Sequence, residues 1–203
     1  PVALVALAGS NGKTTVKEMI AAIFAAHCGS REAVLATSGN LNNNIGMPFT
    51  LLGLRPAHRF AVIEMGMNHE GEIDYLTRIA QPTAALVNNA QRAHVGMLGS
   101  LEAIARAKGE IYAGLGEHGE AVVNVDDAFA PYWKGLNAGR TIVTFGLSAD
   151  ADVRATLLNG QWRFQTPAGA FTVKLLVAGE HNARNALAAC AAAHALAIPT
   201  AAM

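Results

Sequence analysis

The sequence predicts an α/β fold in which a mostly parallel sheet lies between two layers of helices. Two observations carry this. Short apolar or β-branched runs alternate with segments of helical period, and a glycine-bearing loop ending in Gly12-Lys13-Thr14 joins the first run directly to the first helical segment. A third observation, period-two texture with turn signals confined to residues 151–177, adds a small antiparallel sheet near the C-terminal end.

The runs at residues 2–8, 34–36, 60–65, 84–88, 121–125 and 141–145 are apolar without alternation, as expected of strands covered on both faces. Between most of them, helical spacing predicts helices over residues 14–27, 71–80, 101–115 and 128–136. Beyond residue 150 the runs 153–157, 161–165 and 171–175 alternate, and Asn159-Gly160 and Pro167-Ala168-Gly169 separate them as hairpin turns would. A last helix is predicted over residues 182–196, with Pro199 just past its end. There is no internal repeat.

At 203 residues the chain is long enough for one sizeable core, and a single folded body is expected. Lys plus Arg and Asp plus Glu are 15 each, so no net field draws the chain to nucleic acid or to an anionic membrane, and any anion must be held locally. Cys28 and Cys190 lie far apart in apolar stretches, without zinc-site spacing or disulfide density, which fits a reducing cytoplasm. The most apolar stretch, residues 186–198, is mostly alanine and is interrupted by His194, so no membrane insertion is expected. The sequence runs from Pro1 straight into a strand with no initiator Met or leader pattern, as an excised domain would.

The loop Gly9-Ser10-Asn11-Gly12-Lys13-Thr14-Thr15 follows a strand and opens a helix, the context a phosphate-binding loop needs. Glycines allow the tight turn that aims successive N–H groups at one anion. The helix N-terminus adds partial positive charge, Lys13 neutralises terminal phosphates, and Thr14 offers a hydroxyl to Mg²⁺. The spacing is shorter than the common P-loop form, because Leu7 stands where that form has its first glycine.

Three further residues stand out. Glu64 ends an apolar run, so its carboxylate reaches the carboxyl rim of the sheet, where it could hold a metal or cap the next helix. His94 follows a predicted strand and a short loop onto the same rim; a solvated loop histidine is the alternative. Lys108 shares one helical stripe with Leu101, Ile104, Ala105, Ile111, Tyr112 and Leu115. Either burial disfavours its ammonium form or its head snorkels to water. Asn182 and Asn185 suit the start of the last helix, and the asparagines from Asn40 to Asn44 suit a turn.

The shortened loop resembles the G-[TS]-x-G-K-[TS] loop of the Mur ligase and folylpolyglutamate synthetase superfamily. The resemblance extends to Gly39-Asn40-Leu41-Asn42-Asn43-Asn44-Ile45-Gly46-Met47-Pro48, to Asn68-His69-Glu70-Gly71-Glu72-Ile73, to Ala107-Lys108-Gly109-Glu110-Ile111 and to Gly179-Glu180-His181-Asn182-Ala183-Arg184-Asn185. Nearly the whole chain is thus similar, in order, to the central ATP-binding domain of Mur ligases, and in particular to those acting on UDP-MurNAc-tripeptide and D-alanyl-D-alanine.

The resemblance implies a three-layer P-loop-type fold, ATP and Mg²⁺ as cofactors, and amide synthesis through an acyl phosphate. It assigns Gly9, Ser10, Asn11, Gly12, Lys13, Thr14, Thr15, Asn44 and Asn182 to the nucleotide. It assigns Thr14, Glu64, His94 and a carbamylated Lys108 to the metals, with Lys13 beside them, and Asn42, Asn43, Asn68 and His69 to the acceptor. It also implies separate N-terminal UDP-binding and C-terminal amine-binding domains, a monomer, and an isolated fragment that turns over slowly or not at all. Another Mur-type ligase such as folylpolyglutamate synthetase, or a nucleotide-binding module without ligase activity, are the competing readings.

Overall fold

The computed structural model describes residues 2–91, 98–175 and 179–203. Among these, nine strands form one sheet: β1 (Ala3–Ala8), β2 (Val34–Ala36), β3 (Phe60–Glu64), β4 (Ala84–Val87), β5 (Glu120–Asn124), β6 (Ile142–Gly146), β7 (Val153–Leu158), β8 (Gln161–Thr166) and β9 (Gly169–Val173). Their order is β2-β3-β1-β4-β5-β6-β7-β8-β9, parallel through β7 and antiparallel beyond it. The α-helices are α1 (Lys13–Cys28), α2 (Gly46–Leu51), α3 (Glu72–Ala80), α4 (Leu101–Gly109), α5 (Ala130–Leu136) and α6 (Glu180–Ala195).

Alternation along β1 divides the core in two. Val5 and Leu7 join Val16, Ile20 and Phe24 of α1 and Leu187 of α6 on one face. Leu4, Ala6 and Ala8 join Ile73 and Leu76 of α3, Ile104 and Ala107 of α4 and Trp133 of α5 on the other. α6 is alanine-rich on its buried surface, so its backbone lies close to the sheet. α1 stops at Gly29, whose φ of 69° lets its N–H turn back to the last carbonyls.

The chain departs from β1 to the edge strand β2, returns through β3, and crosses to β4 on the far side of β1. The strand order therefore reverses at β1, the place on the carboxyl rim of a parallel sheet where ligands bind.

Three expectations are refined. The antiparallel strands are not a separate sheet, because Phe145 pairs with Val153 and Gly146 with Arg154, which makes β7 a direct parallel continuation of β6. The helix predicted over 101–115 is α-helical to Gly109 and then tightens to a 3-10 turn over Glu110–Gly114. There Thr77 Oγ1 donates to the Ile111 carbonyl at 2.7 Å, and Gly114 lies against Thr77 with no room for a Cβ. α2 arises inside the Asn-rich segment, its first turn held by Asn43 Oδ1, which accepts from Ile45 N at 3.2 Å and Gly46 N at 2.8 Å.

Trp133 is fully buried and its Nε1 donates to the Ala105 carbonyl at 3.0 Å, locking α5 onto α4. Trp133→Ala should cost about 3–5 kcal/mol in urea denaturation, and a loss below about 1 kcal/mol would contradict this packing.

Candidate functional site

The loop between β1 and α1 turns on Gly12, the N-cap of α1, at φ 78°. A side chain there would be strained and would also collide with the amides of Asn88 and Asn185. No side chain caps α1 and no acid sits in its first turn, so its end is suited to an external anion. Lys13 Nζ donates to the Gly9 carbonyl at 3.0 Å, and Thr14 Oγ1 donates to Glu64 Oε2 at 3.2 Å. Burial lowers the Lys13 pKa, while nearby Glu64 works to raise it.

The loop is braced from the end of β4. Asn89 Oδ1 accepts from Ser10 N at 3.1 Å and Asn11 N at 2.9 Å, and Asn88 Nδ2 donates to the Asn11 carbonyl at 2.9 Å and to Asn185 Oδ1 at 3.2 Å. The Ser10 hydroxyl donates to the Gln91 carbonyl at 3.0 Å and accepts from Gln91 N at 2.9 Å, so it serves the loop's shape. This side opens into a cavity of ≈ 440 Å³ lined by Gly12, Thr15, Asn124, Asp126, Asn182 and Arg184 among others. Asp126 accepts from Leu147 N at 2.7 Å and pairs with Arg184 at 2.7 Å. Burial works to raise its pKa, but bonds from Ser148 and Leu147 and the charge of Arg184 outweigh it and the net shift is downward.

A second cavity, ≈ 390 Å³, lies on the other side of the loop, where Gly9 and Lys13 face Asn42, Asn43, Asn68 and Lys108. Glu64 is 2 % exposed; Thr37 Oγ1 accepts from its backbone N–H at 2.9 Å, and its Oε1 accepts from Asn42 Nδ2 at 2.7 Å. Lys108 is 3 % exposed. Burial first, and the charge of Lys13 second, lower its pKa to about 7.

Among the described residues no group of three or more His, Cys, Asp or Glu could hold a metal by itself. A hydroxyl and a buried carboxylate sharing a hydrogen bond beside a phosphate loop are nevertheless a hard oxygen pair, which suits Mg²⁺, an ion bound through one or two carboxylates plus substrate phosphates.

The structure therefore brings Gly9, Gly12, Lys13, Thr14, Glu64, Asn42, Asn43, Asn68 and Lys108 to one rim. Asn44 lies on the Lys108 side, opposite Asn182. His69 is 75 % exposed in its side chain and contacts Glu72 at 3.1 Å. His94 lies outside the described residues.

Sequence reasoning passed over Lys17, only 2 % exposed, whose Nζ donates to the Thr37 carbonyl at 2.7 Å. Its position beside Val16 and Ile20 on the buried side of α1 was the available signal. The contacts of Asn88, Asn89 and Asp126 leave no local signal in the sequence, since their partners lie on other strands, loops and helices.

Residues 7–193 match the Mur ligase middle domain. The chain belongs to that family. It is 46% identical over 191 residues to the UDP-N-acetylmuramoyl-tripeptide--D-alanyl-D-alanine ligase of Haemophilus influenzae, covering 93% of this chain and 42% of that protein. It is 46% identical over 197 residues to the enzyme of the same name from Escherichia coli, covering 94% and 43%. It superposes on a crystal structure of MurF from Acinetobacter baumannii with TM-score 0.91 and 42% identity, over 99% of this chain and 44% of that one. On the MurF ligase of Thermotoga maritima in complex with ADP the TM-score is 0.77 at 26% identity, over 97% and 46%. The chain thus spans less than half the length of these Mur ligases.

The depressed Lys108 pKa has a stability consequence. Below about pH 7 both folded and unfolded chains carry the proton. As pH rises towards the ordinary lysine range the unfolded chain keeps a proton that the folded chain has shed, so folding is favoured progressively. In CO₂-free buffer the native chain should gain about 2 kcal/mol more than Lys108→Met between about pH 7 and pH 9. Parallel stability curves from chemical denaturation would contradict a neutral amine.

Proposed function

We propose that this chain is the ATP-binding central module of a longer ligase of peptidoglycan-precursor synthesis. The complete enzyme would join D-alanyl-D-alanine to UDP-MurNAc-tripeptide. The observation that carries this is the convergence of Lys13, the Thr14–Glu64 contact and a buried Lys108 around one phosphate loop. The names of the two ligases at 46% identity support the choice of substrates.

In this reading the loop N–H groups, the α1 N-terminus and Lys13 hold the terminal phosphates of ATP. The cavity containing Asn182 takes the nucleoside, and the walls bearing Asn42, Asn43, Asn44 and Asn68 take the acceptor, with the exposed His69 outside that lining. The acceptor carboxylate oxygen attacks the γ-phosphorus and the bond to the bridging oxygen of ADP breaks, giving an acyl phosphate. The incoming amine then adds to the acyl carbon, a proton is lost, and inorganic phosphate leaves. No covalent enzyme nucleophile takes part.

Mg²⁺, when bound, supplies positive charge against the transferring phosphoryl oxygens. Thr14 and Glu64 would hold it, joined by His94 and by Lys108 as a carbamate. The neutral Lys108 amine is the species able to form that group: Nζ bonds to the carbon of CO₂ and one N–H proton is released, turning the neutral amine into an anionic oxygen donor. Domains beyond this chain would close the cleft and align the amine, so the isolated chain should hold nucleotide weakly and turn over little. No helix among the described residues is long and apolar enough to cross a membrane. Cys28 and Cys190 are both free, the state a reducing compartment maintains.

Phosphate release by the complete enzyme, with UDP-MurNAc-tripeptide and D-alanyl-D-alanine, tests the proposal. Lys13→Ala should lower kcat by about 10²–10³-fold. Lys108→Ala should lower it comparably while leaving nucleotide affinity largely intact. Nucleotide binding with no ligation by the unaltered enzyme would make this a binding module, and wild-type ligation by Lys108→Ala in bicarbonate buffer would remove the carbamate.

A further inference from the structure

The two walls of the Lys108 cleft are joined by a contact that the chemistry above does not use. α3 begins after Gly71, which has φ 86°, and no side chain of its own segment caps it. Its first N–H groups need acceptors from elsewhere. Glu110, two residues beyond Lys108, supplies two: Oε1 accepts from Gly71 N at 2.8 Å and Oε2 from Asp74 N at 3.1 Å. A carboxylate set across a helix N-terminus gains from charge-assisted bonds and from the helix dipole. Because both oxygens of one planar group are engaged, the contact fixes orientation as well as distance.

The segment leading into α3 forms the opposite wall. Gly66 N donates to the Asn42 carbonyl at 2.8 Å, and Glu72 Oε2 accepts from Asn68 N at 2.6 Å and His69 N at 3.2 Å. The far end of the wall is held by Glu110. Asn68, Glu72 and Lys108 line one cavity, so the Glu110 contact sets how the Asn68 wall stands against the segment that carries Lys108.

We propose that Glu110 is a positioning residue that clamps the Asn68 wall to the Lys108 segment and so shapes the acceptor side of the cleft. This rests on the reading of that cavity as the acceptor site. The phosphate loop is braced separately, by Asn88 and Asn89, so loss of the clamp should not reach the nucleotide.

Two measurements test it. In the complete enzyme, Glu110→Ala should raise KM for the UDP-linked acceptor about tenfold, the equivalent of one net charge-assisted bond, and leave KM for ATP within about twofold. Glu110→Gln, which retains one acceptor oxygen, should fall between. A lower Tm with both KM values unchanged would reduce Glu110 to a structural cap, and an equal rise in both would show the effect is not local; either result overturns the proposal.

The second measurement uses the 203-residue chain without substrate. In Glu110→Ala the Gly71 and Asp74 amides should exchange about tenfold faster or more, and the Asn68 resonance should shift while Asn88 and Asn89 stay in place. An unmoved Asn68 overturns the clamp whatever the substrate. If the unaltered enzyme fails to ligate this acceptor, the functional reading fails while the exchange result still decides the clamp.

Discussion

The site depends on the parallel register of β3, β1 and β4. Leu7 pairs with Glu64 and Ala8 with Val87, so Gly9, Glu64 and Asn88 emerge at one level on the carboxyl rim. Side chains alternate faces along a strand, and a slip of one residue in β3 would exchange Glu64 for a neighbour pointing into the other layer. The apolar faces on both sides of the sheet forbid that slip. The burial that stabilises the fold thereby also places the carboxylate beside Thr14.

Charge is unevenly satisfied around that rim. Lys13 and Lys108 line the cleft half-buried and buried, Glu64 is a buried acid close by, and Lys17 beneath them is paired with Glu18 at 2.9 Å. In a chain with no net charge this local cationic excess is costly in the absence of a partner. Part of the cost is relieved by the Gly9 carbonyl that accepts from Lys13, and part by the tendency of Lys108 to shed its proton. A polyphosphate entering the cleft would meet donors already oriented, with little reorganisation required of the protein.

Two separate braces flank the loop. Asparagine amides from β4 and α6 shape the turn on the side containing Asn182, while carboxylates at α3 and beyond α4 hold the wall on the side containing Lys108. Amide groups both donate and accept and so suit a tightly folded backbone with mixed needs. Carboxylates only accept when ionised, and suit the orphan N–H groups of α3. This division lets one side be altered without the other.

Much of the architecture was written in local pattern. Unbroken apolar runs announced the parallel strands and Gly12-Lys13-Thr14 after a strand announced the anion-binding turn, because these depend on period and on residues close in sequence; the stripe around Lys108 left burial and a snorkelling head both open, and only the packed fold decided for burial. Other features required distant partners. The outer hairpins became one sheet with the rest only through the β6–β7 pairing, α2 emerged only once Asn43 capped it, and the roles of Thr37, Asn88, Asp126 and Glu110 exist only across elements. The sequence alone determined which residues can carry charge and which apolar faces are buried. Tertiary structure decided which polar groups meet, since hydrogen bonds act over a few ångströms and the chain separations they span leave no periodic trace.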